Sequence, residues 1–564
     1  MKNILKLLGG CFVASAAAQQ PLFIPDTLSG STITLNMHAD SVQFLLGIKT
    51  STYAYNSYSY LGPTLILNNG ANVSLVVNNQ LADTSTVHWH GLHVAAINDG
   101  GPHTPILPGA TWNPQFTVMN SAATYWYHPH THMKTAEQAI KGADGMIIVR
   151  DNAEAALSLP RRYGVDDFPI IVQSVQFDSL NQLMPLGMQD SSLMVNGTMN
   201  PFVNLPSQVV RLRLLNASGE RVMNFGFTAN KSFYIIASDG GLMSAPILTT
   251  RVRLAPGERA EVLIDLIGMN GQVVNLMSYG SELPVGVQGG PTMAMPPGSP
   301  PMDSPLNGVD YNLLQINVAA QTLNPVTTIP SSLVPLNPWL ESQANITRTI
   351  AMNAPSAMSM DGPFTFNNLS FDMMRIDYQI PLDNIEIWEL TNQTMVAHPF
   401  HIHDVQFYLL DRDGNLPPLH ERGKKDVVLI ESNETVRFIT KFEDFADTLT
   451  PYMFHCHILM HEDDGMMGQF LVVPATSGMN DVIVNDGFRL FPNPIKDKFS
   501  VQLLDKLDKV LILEIHNLLG EIVYSYNFKS NEIIDLDLSM LNAGTYIAKV
   551  KTEKNNFVQK IIKN

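Results

Sequence analysis

The thirteen residues HCHILMHEDDGMM, beginning at His455, bring together three histidines, a cysteine and three methionines. Cys456 is one of only two cysteines in the chain. Imidazole alone suits zinc, copper, iron or nickel. Two histidines, a thiolate and a nearby thioether point instead to a blue-copper electron-transfer centre with methionine as its weak axial ligand. On a β-strand, successive side chains face opposite sides, so Cys456 points one way while His455 and His457 point the other. One strand would then touch two metal sites joined through adjacent peptide units, which is an electron path.

Twelve of the 16 histidines fall in four short clusters: HWHGLH from His88, HPHTH from His128, HPFHIH from His398 and HCHILMH from His455. Each contains His-x-His, and residues i and i+2 of a strand share a face with Cα atoms roughly 6.5–7 Å apart. A single such pair is explained as well by hydrogen bonding on a strand. Four of them, in a chain with four other histidines, point to metal.

The elements that must carry these clusters read as strands. Short alternating apolar segments such as ANVSLVVNNQ, QVVRLRLLN and AEVLIDLIG are separated by turn residues, and long helical periodicity is nearly absent, so the chain is expected to be all-β. Three blocks stand out, at 21–150, 165–320 and 345–475, with a Pro/Gly/Met-rich loop, GGPTMAMPPGSPPMDSP, near the end of the second. A linker at 476–487 leads to a final unit, 488–564, patterned as a small Ig-like β-sandwich. Its FPNP and GTYIAKV segments and its place at the C-terminus resemble the type A sorting domain of type IX secretion, which implies contact with that machinery.

The N-terminus, MKNILKLLGGCFVASAAAQQ, has Lys2 and Lys6, an apolar stretch and small residues ending at Ala18, the pattern of a signal peptide spanning 1–18. Cleavage would remove Cys11 and leave Cys456 as a lone thiol in an oxidising compartment, where it must be buried or bonded to something. The formal charge is −17, with no basic stripe for nucleic acid, and no internal apolar run reaches the roughly 18–20 residues needed to span a bilayer. The expected location is secreted or cell-surface, with export through the periplasm.

The four clusters, in this order, resemble the copper signatures of the multicopper oxidases. RLRLLNAS, IASDGG and PGERAEVLIDL resemble the middle domain of the bacterial three-domain branch of laccases, cuprous oxidases and bilirubin oxidases. The resemblance implies three cupredoxin-like Greek-key β-sandwich domains and four coppers: one type 1, one type 2 and a type 3 pair. By motif position, His398, Cys456 and His461, with Met466 axial, would bind type 1 copper. His88 and His401 would bind type 2, and His90, His128, His130, His403, His455 and His457 the type 3 pair. Glu462, following His461, and Asp99, in NDGGP, match acidic positions that supply protons beside the trinuclear cluster. Cys456 would pass electrons through His455 and His457.

The implied reaction couples one-electron oxidation of a small reducing substrate to four-electron reduction of dioxygen to water. Phenols and aromatic amines rank first. Cuprous ion, in copper tolerance, is the alternative, followed by bilirubin-like tetrapyrroles; a surface copper-binding protein is the non-enzymatic one. Thr394 stands where cuprous oxidases carry an acidic residue, and no long Met-rich helix is visible, so Met293, Met295, Met302, Met358, Met360, Met373 and Met374 read mostly as core filler. Trp89 and Trp126 read as packing beside the clusters, and His93, His103 and His132 match no ligand position.

Overall fold

This computed structural model describes residues 19–475 apart from 186–188, 293–303, 357–358 and 360–361, together with most of 488–563. The expected leader at 1–18, the linker at 476–487, and Met293, Met295, Met302, Met358 and Met360 lie outside the described residues. The chain divides into two compact units, Met1–Ala475 and Thr476–Asn564.

The larger unit is all-β and built from pairs of sheets. In its first part, one sheet runs Thr27–Ser29, Thr64–Asn68, Gly145–Arg150, Ala123–His128 and His88–His90, in that order. The facing sheet includes Thr32–Val42 and Asn72–Asn79, which alternate as the period-2 pattern requires: Ile33, Leu35, Val73, Leu75 and Val77 go inside and their neighbours stay accessible. Trp89 joins this core.

The middle part has a six-stranded and an eight-stranded sheet around a core that includes Leu212, Leu214, Phe225 and Val262. Its strand Val209–Asn216 is buried on both faces. Leu212 and Leu214 fill the core, whereas Arg211 and Arg213 point the other way into a buried ion network with Glu154, Asp167 and Glu261. Gln20–Pro21 runs parallel to Pro201–Pro206 at the edge of the six-stranded sheet.

In the third part, Tyr378–Pro381, Met467–Val473, Tyr452–Cys456, His398–Ile402 and Val427–Ile430 form one sheet, packed on a second that contains Ile385–Asn392 and Thr435–Lys441. Their shared core holds Trp388, Phe400, Phe438, Phe454 and Phe470, and Cys456 and Met466 belong to it. Burying a side chain of this kind contributes roughly 1.5–3 kcal/mol, so Cys456 sits in a core that also stabilises the third part.

The smaller unit pairs a three-stranded with a four-stranded sheet, around Phe499, Val501, Leu513, Ile515 and Val550.

Candidate metal centre

Strand pairing sorts the ligand candidates. Phe400 lies opposite Cys456, and His401 opposite His455. Cross-strand partners share a face, so His398, Phe400 and Cys456 turn into the core of the third part, while His401 and His455 turn outward. In the first part, His90 lies opposite Trp126 and His128 opposite His88, which places all four on the face away from Trp89. The two outward faces meet and form a buried imidazole cluster from the first and third parts of the larger unit.

Within that cluster the nitrogens group by distance. His130 Nε2 lies 3.1 Å from His403 Nε2 and 3.2 Å from His455 Nε2, and the last two are 3.3 Å apart. A second triad forms from His90 Nδ1, His128 Nε2 and His457 Nε2, with contacts of 3.3 Å from His90 to each. His88 and His401 complete the cluster, and their Nε2 atoms are buried without a hydrogen-bond partner. Trp126 walls the second triad, its ring centroid 4.2 Å from that of His128 and 5.3 Å from that of His90. It is packing, as expected, but packing against imidazoles rather than within the first core.

The outer edges of these rings are also held. His403 Nδ1 lies 2.7 Å from Asp99 Oδ2, and His88 Nδ1 lies 3.0 Å from the Asp99 carbonyl. Asp99 ends the short helix Ala96–Asp99, and Gly100 follows in the left-handed region at φ 84°. A Cβ there would sit 1.8 Å from the Val87 carbonyl oxygen, so only glycine lets Asp99 reach this position. Glu462 Oε1 is 3.2 Å from His130 Nδ1, and its Oε2 is 3.2 Å from His455 Nδ1, while Thr135 Oγ1 donates to Oε1 at 2.6 Å. Glu462 lies on the short helix Leu459–Asp463. Asp463 there accepts from the backbone N–H groups of Thr135 and Ala136, at the start of the helix Thr135–Ile140. A group of His88, Asp99 and His403 also lies close together, but it uses these outer Nδ1 atoms and is the hydrogen-bonded rim of the cluster.

The second site is smaller. Cys456 Sγ lies 3.6 Å from His398 Nδ1 and 3.7 Å from His461 Nδ1. Met466 is fully buried in the same core, and its carbonyl accepts from the Cys456 N–H at 3.0 Å. His398 Nε2 lies 2.9 Å from Thr394 Oγ1, which donates on to Asn392 Oδ1 at 2.8 Å. Phe364 packs on both imidazoles, at 4.7 and 4.5 Å between centroids. His461 is 9% exposed, and no other histidine of either site exceeds 1%.

Burial and neighbouring imidazoles push His90, His128, His130, His401, His403 and His455 well below the ordinary histidine range, and burial pushes His461 down to about 3. These rings stay neutral and keep a lone pair available, the form a metal ligand must have. Burial raises the Cys456 thiol and the Glu462 carboxyl above their usual ranges. Close-packed neutral imidazoles, two with buried unpaired Nε2 atoms, and a thiol between two more imidazoles are donor sets that fit copper.

His93, His103 and His132 enter neither site. His93 Nδ1 lies 2.7 Å from Asp404 and its Nε2 3.1 Å from Asp444; His103 meets Gln469, and His132 packs on Phe371. Of the methionines read mostly as core filler, Met374 is 89% exposed and lies outside the core. Asp426, 3.1 Å from His90 Nε2, was missed in the sequence. Its one signal there is a charged GKKD segment running straight into the fully buried strand Val427–Ile430.

Residues 36–154 and 341–476 match family models described as Multicopper oxidase, and residues 489–564 match one described as Secretion system C-terminal sorting domain. The chain is 34% identical to Multicopper oxidase mco of Staphylococcus haemolyticus, over 78% of this chain and 88% of that protein. It is 30% identical to Cell division protein FtsP of Sodalis glossinidius, over 85% of this chain and 99% of that one. Among solved structures it is similar to the laccase-like multi-copper oxidase CueO of Ochrobactrum sp., with a TM-score of 0.71 and 32% identity, covering 80% of this chain and 100% of that one. The chain is therefore a member of the multicopper oxidase family, a copper-binding oxidoreductase of cupredoxin-like fold that ends in a secretion sorting domain.

Proposed function

We propose that the protein is a laccase-like oxidase that takes single electrons from phenols or aromatic amines and reduces dioxygen to two waters, using four coppers. The observation that carries this is the strand Tyr452–Cys456 with its continuation: Cys456 belongs to the small site, and its neighbours His455 and His457 to the large cluster. His398, Cys456 and His461, with Met466, would hold type 1 copper. His88 and His401 would hold type 2, His90, His128 and His457 one type 3 ion, and His130, His403 and His455 the other. Bound copper supplies one-electron redox chemistry and the place where dioxygen is reduced.

The side chains supply the rest. His461, the most exposed imidazole of the two sites, is the edge at which a reductant comes closest. Thr394 accepts the Nε2 proton of His398, leaving Nδ1 facing Cys456. Asp99 orients His403 in the same way. Glu462, buried and pressed toward its protonated form, lies 3.2 Å from His130 Nδ1 and from His455 Nδ1 and can hold a proton on its carboxyl at the edge of the cluster. The sorting domain marks the protein for secretion or surface display, and we place its route through the periplasm.

Thr394 also favours phenols over cuprous ion, because a neutral hydroxyl on His398 offers a metal cation no charge. The relative from Ochrobactrum is described as having oxidase activity towards lignin model compounds, which supports the same choice. Copper-loaded protein given a dimethoxyphenol or cuprous ion in separate oxygen-electrode runs tests the reading. Faster oxygen uptake with the phenol is expected. Turnover of cuprous ion alone would overturn the substrate class, and no oxygen uptake with either would overturn the oxidase reading.

A further inference from the structure

We infer that Asp426 is a positioning residue for the copper cluster, holding His90 and His401 in opposite tautomers, and that Arg259 of the middle part holds Asp426 in place for this task. The inference rests on the copper reading above.

Asp426 immediately precedes the strand Val427–Ile430, which pairs with His398–Ile402 so that Val427 lies opposite His401. This register brings the Asp426 carbonyl to 2.8 Å from His401 Nδ1. A carbonyl only accepts, so Nδ1 carries the proton and His401 Nε2 is left with its lone pair, the atom that is buried without a partner. The side chain of the same residue turns to the first part of the chain, where Oδ1 lies 3.1 Å from His90 Nε2. Both carboxylate oxygens accept from Arg259, Oδ1 from Nη1 at 2.5 Å and Oδ2 from Nη2 at 2.7 Å. Arginine does not give up its proton, and a two-pronged pair of this kind is ionic. Facing a carboxylate, His90 must carry its proton on Nε2. Its free lone pair is then on Nδ1, the nitrogen 3.3 Å from both His128 Nε2 and His457 Nε2.

One residue therefore sets two rings, through its carbonyl for one and its carboxylate for the other. The two rings stack at 3.8 Å and 8°, so neither can turn to the other tautomer's geometry without displacing its neighbour.

Arg259 has five N–H donors and uses them all. Besides the two on Asp426, Nε donates to the Thr124 carbonyl at 3.0 Å, Nη1 to that of Gly257 at 3.1 Å and Nη2 to that of Asp239 at 2.9 Å. Lys425, next to Asp426, is anchored at 2.9 Å to both Asp239 and Glu258. Gly91, beside His90, makes room for the pair: at φ 85°, a Cβ there would come within 2.5 Å of Asp426 Oδ2 and 2.8 Å of Arg259 Nη2. The middle part, which contributes none of the imidazoles, thereby determines how two of them present themselves.

Asp426→Leu and Asp426→Asn in the full-length protein test this. Copper per chain is measured by elemental analysis after dialysis against graded chelator, with the blue absorption of the Cys456 site and the near-ultraviolet absorption of the cluster recorded on the same samples. Asp426→Leu should keep the blue absorption and lose roughly 10–100-fold in cluster copper affinity, the usual effect of removing a hydrogen-bond partner of a metal-binding histidine. Asp426→Asn keeps an oxygen toward His90 and should lose clearly less. Wild-type cluster affinity in the Leu variant overturns the inference, as does an Asn variant that loses as much as Leu. A separate reading does not depend on how the variants fold. Nitrogen-15 histidine spectra of the copper-free wild type, with His90 assigned through His90→Gln, should show the Nε2–H tautomer at His90; an Nδ1–H tautomer there overturns the inference. Wild-type protein that holds no copper in the cluster would instead defeat the copper reading itself.

Discussion

Cys456 answers to two constraints, because its side chain belongs to the third core and its main chain joins His455 to His457. Cys456→Ser should abolish the blue absorption and electron entry while the cluster still loads copper, since the imidazoles on the opposite face are untouched. Elemental analysis with visible spectroscopy checks this, and a variant that stayed blue would refute the assignment. Glu462 makes a different prediction. It touches the outer nitrogens of His130 and His455 and is not a member of the group His398, Cys456 and His461, so Glu462→Gln should leave anaerobic bleaching of the blue band by substrate nearly unchanged. Recovery of the band on mixing with oxygen should slow by roughly ten- to a thousand-fold, the range expected when a positioned acid is lost with partial rescue by water. Stopped-flow absorbance separates the two phases.

At the scale of elements, two short helices carry more of the site than their length suggests. Ala96–Asp99 delivers Asp99 only because the chain turns at Gly100 into a conformation that L side chains avoid, tight against Val87. Gly100→Ala should destabilise the copper-free protein by roughly 1–3 kcal/mol from the backbone strain alone, with the collision at the Val87 carbonyl adding to this. Because Asp99 must move, copper loading should weaken too. A lower Tm together with weaker copper retention is the expected pair of results, whereas a lower Tm with normal retention would show that Asp99 is not needed to hold His88 and His403. Leu459–Asp463 places Glu462 by reaching across to the first part, where Asp463 accepts from Thr135 and Ala136.

Across the whole molecule, the first and third parts are joined by charge as well as by imidazoles. His93 from the first is paired with Asp404 and Asp444 from the third. Burial opposes the charge on His93, but the two carboxylates prevail and raise it to about 9. The folded value lies above the unfolded one near 6.5. For His93 alone the stabilisation is fully present below about pH 6.5 and is lost as pH rises through about 9. Asp404, raised by burial to about 6, gives up its charge as pH falls through that value, so the ionic link holds between the two. His93→Gln should lower Tm most near pH 7 and hardly at all at pH 10, and an equal loss at both would rule out the ionic link. The sorting unit forms a compact body of its own, with no metal-binding group among its described residues. Removing residues 488–564 should leave copper content and specific activity near wild type and stop export from the native host, which fractionation and activity assays would show.

Local pattern was legible in the sequence. The four clusters, the face alternation that separates Cys456 from His455 and His457, the all-β class and the sorting tail all depend on spacing over a few residues, and strand geometry turns such spacing into direction. Partnership across the chain was not legible. Nothing local pairs His130 with His403 and His455, puts Thr394 on His398, gives His93 to Asp404 and Asp444, or joins Asp426 to Arg259, 167 residues away. Those contacts arise when separate sheets pack and buried polar atoms must find partners wherever the packing leaves them. The sequence by itself marked the candidate copper ligands and, for those on strands, the face each would take, whereas His461 lies on the helix Leu459–Asp463. The tertiary structure decided which nitrogen each ring turns to the centre, because that depends on carboxylates and carbonyls brought from distant strands.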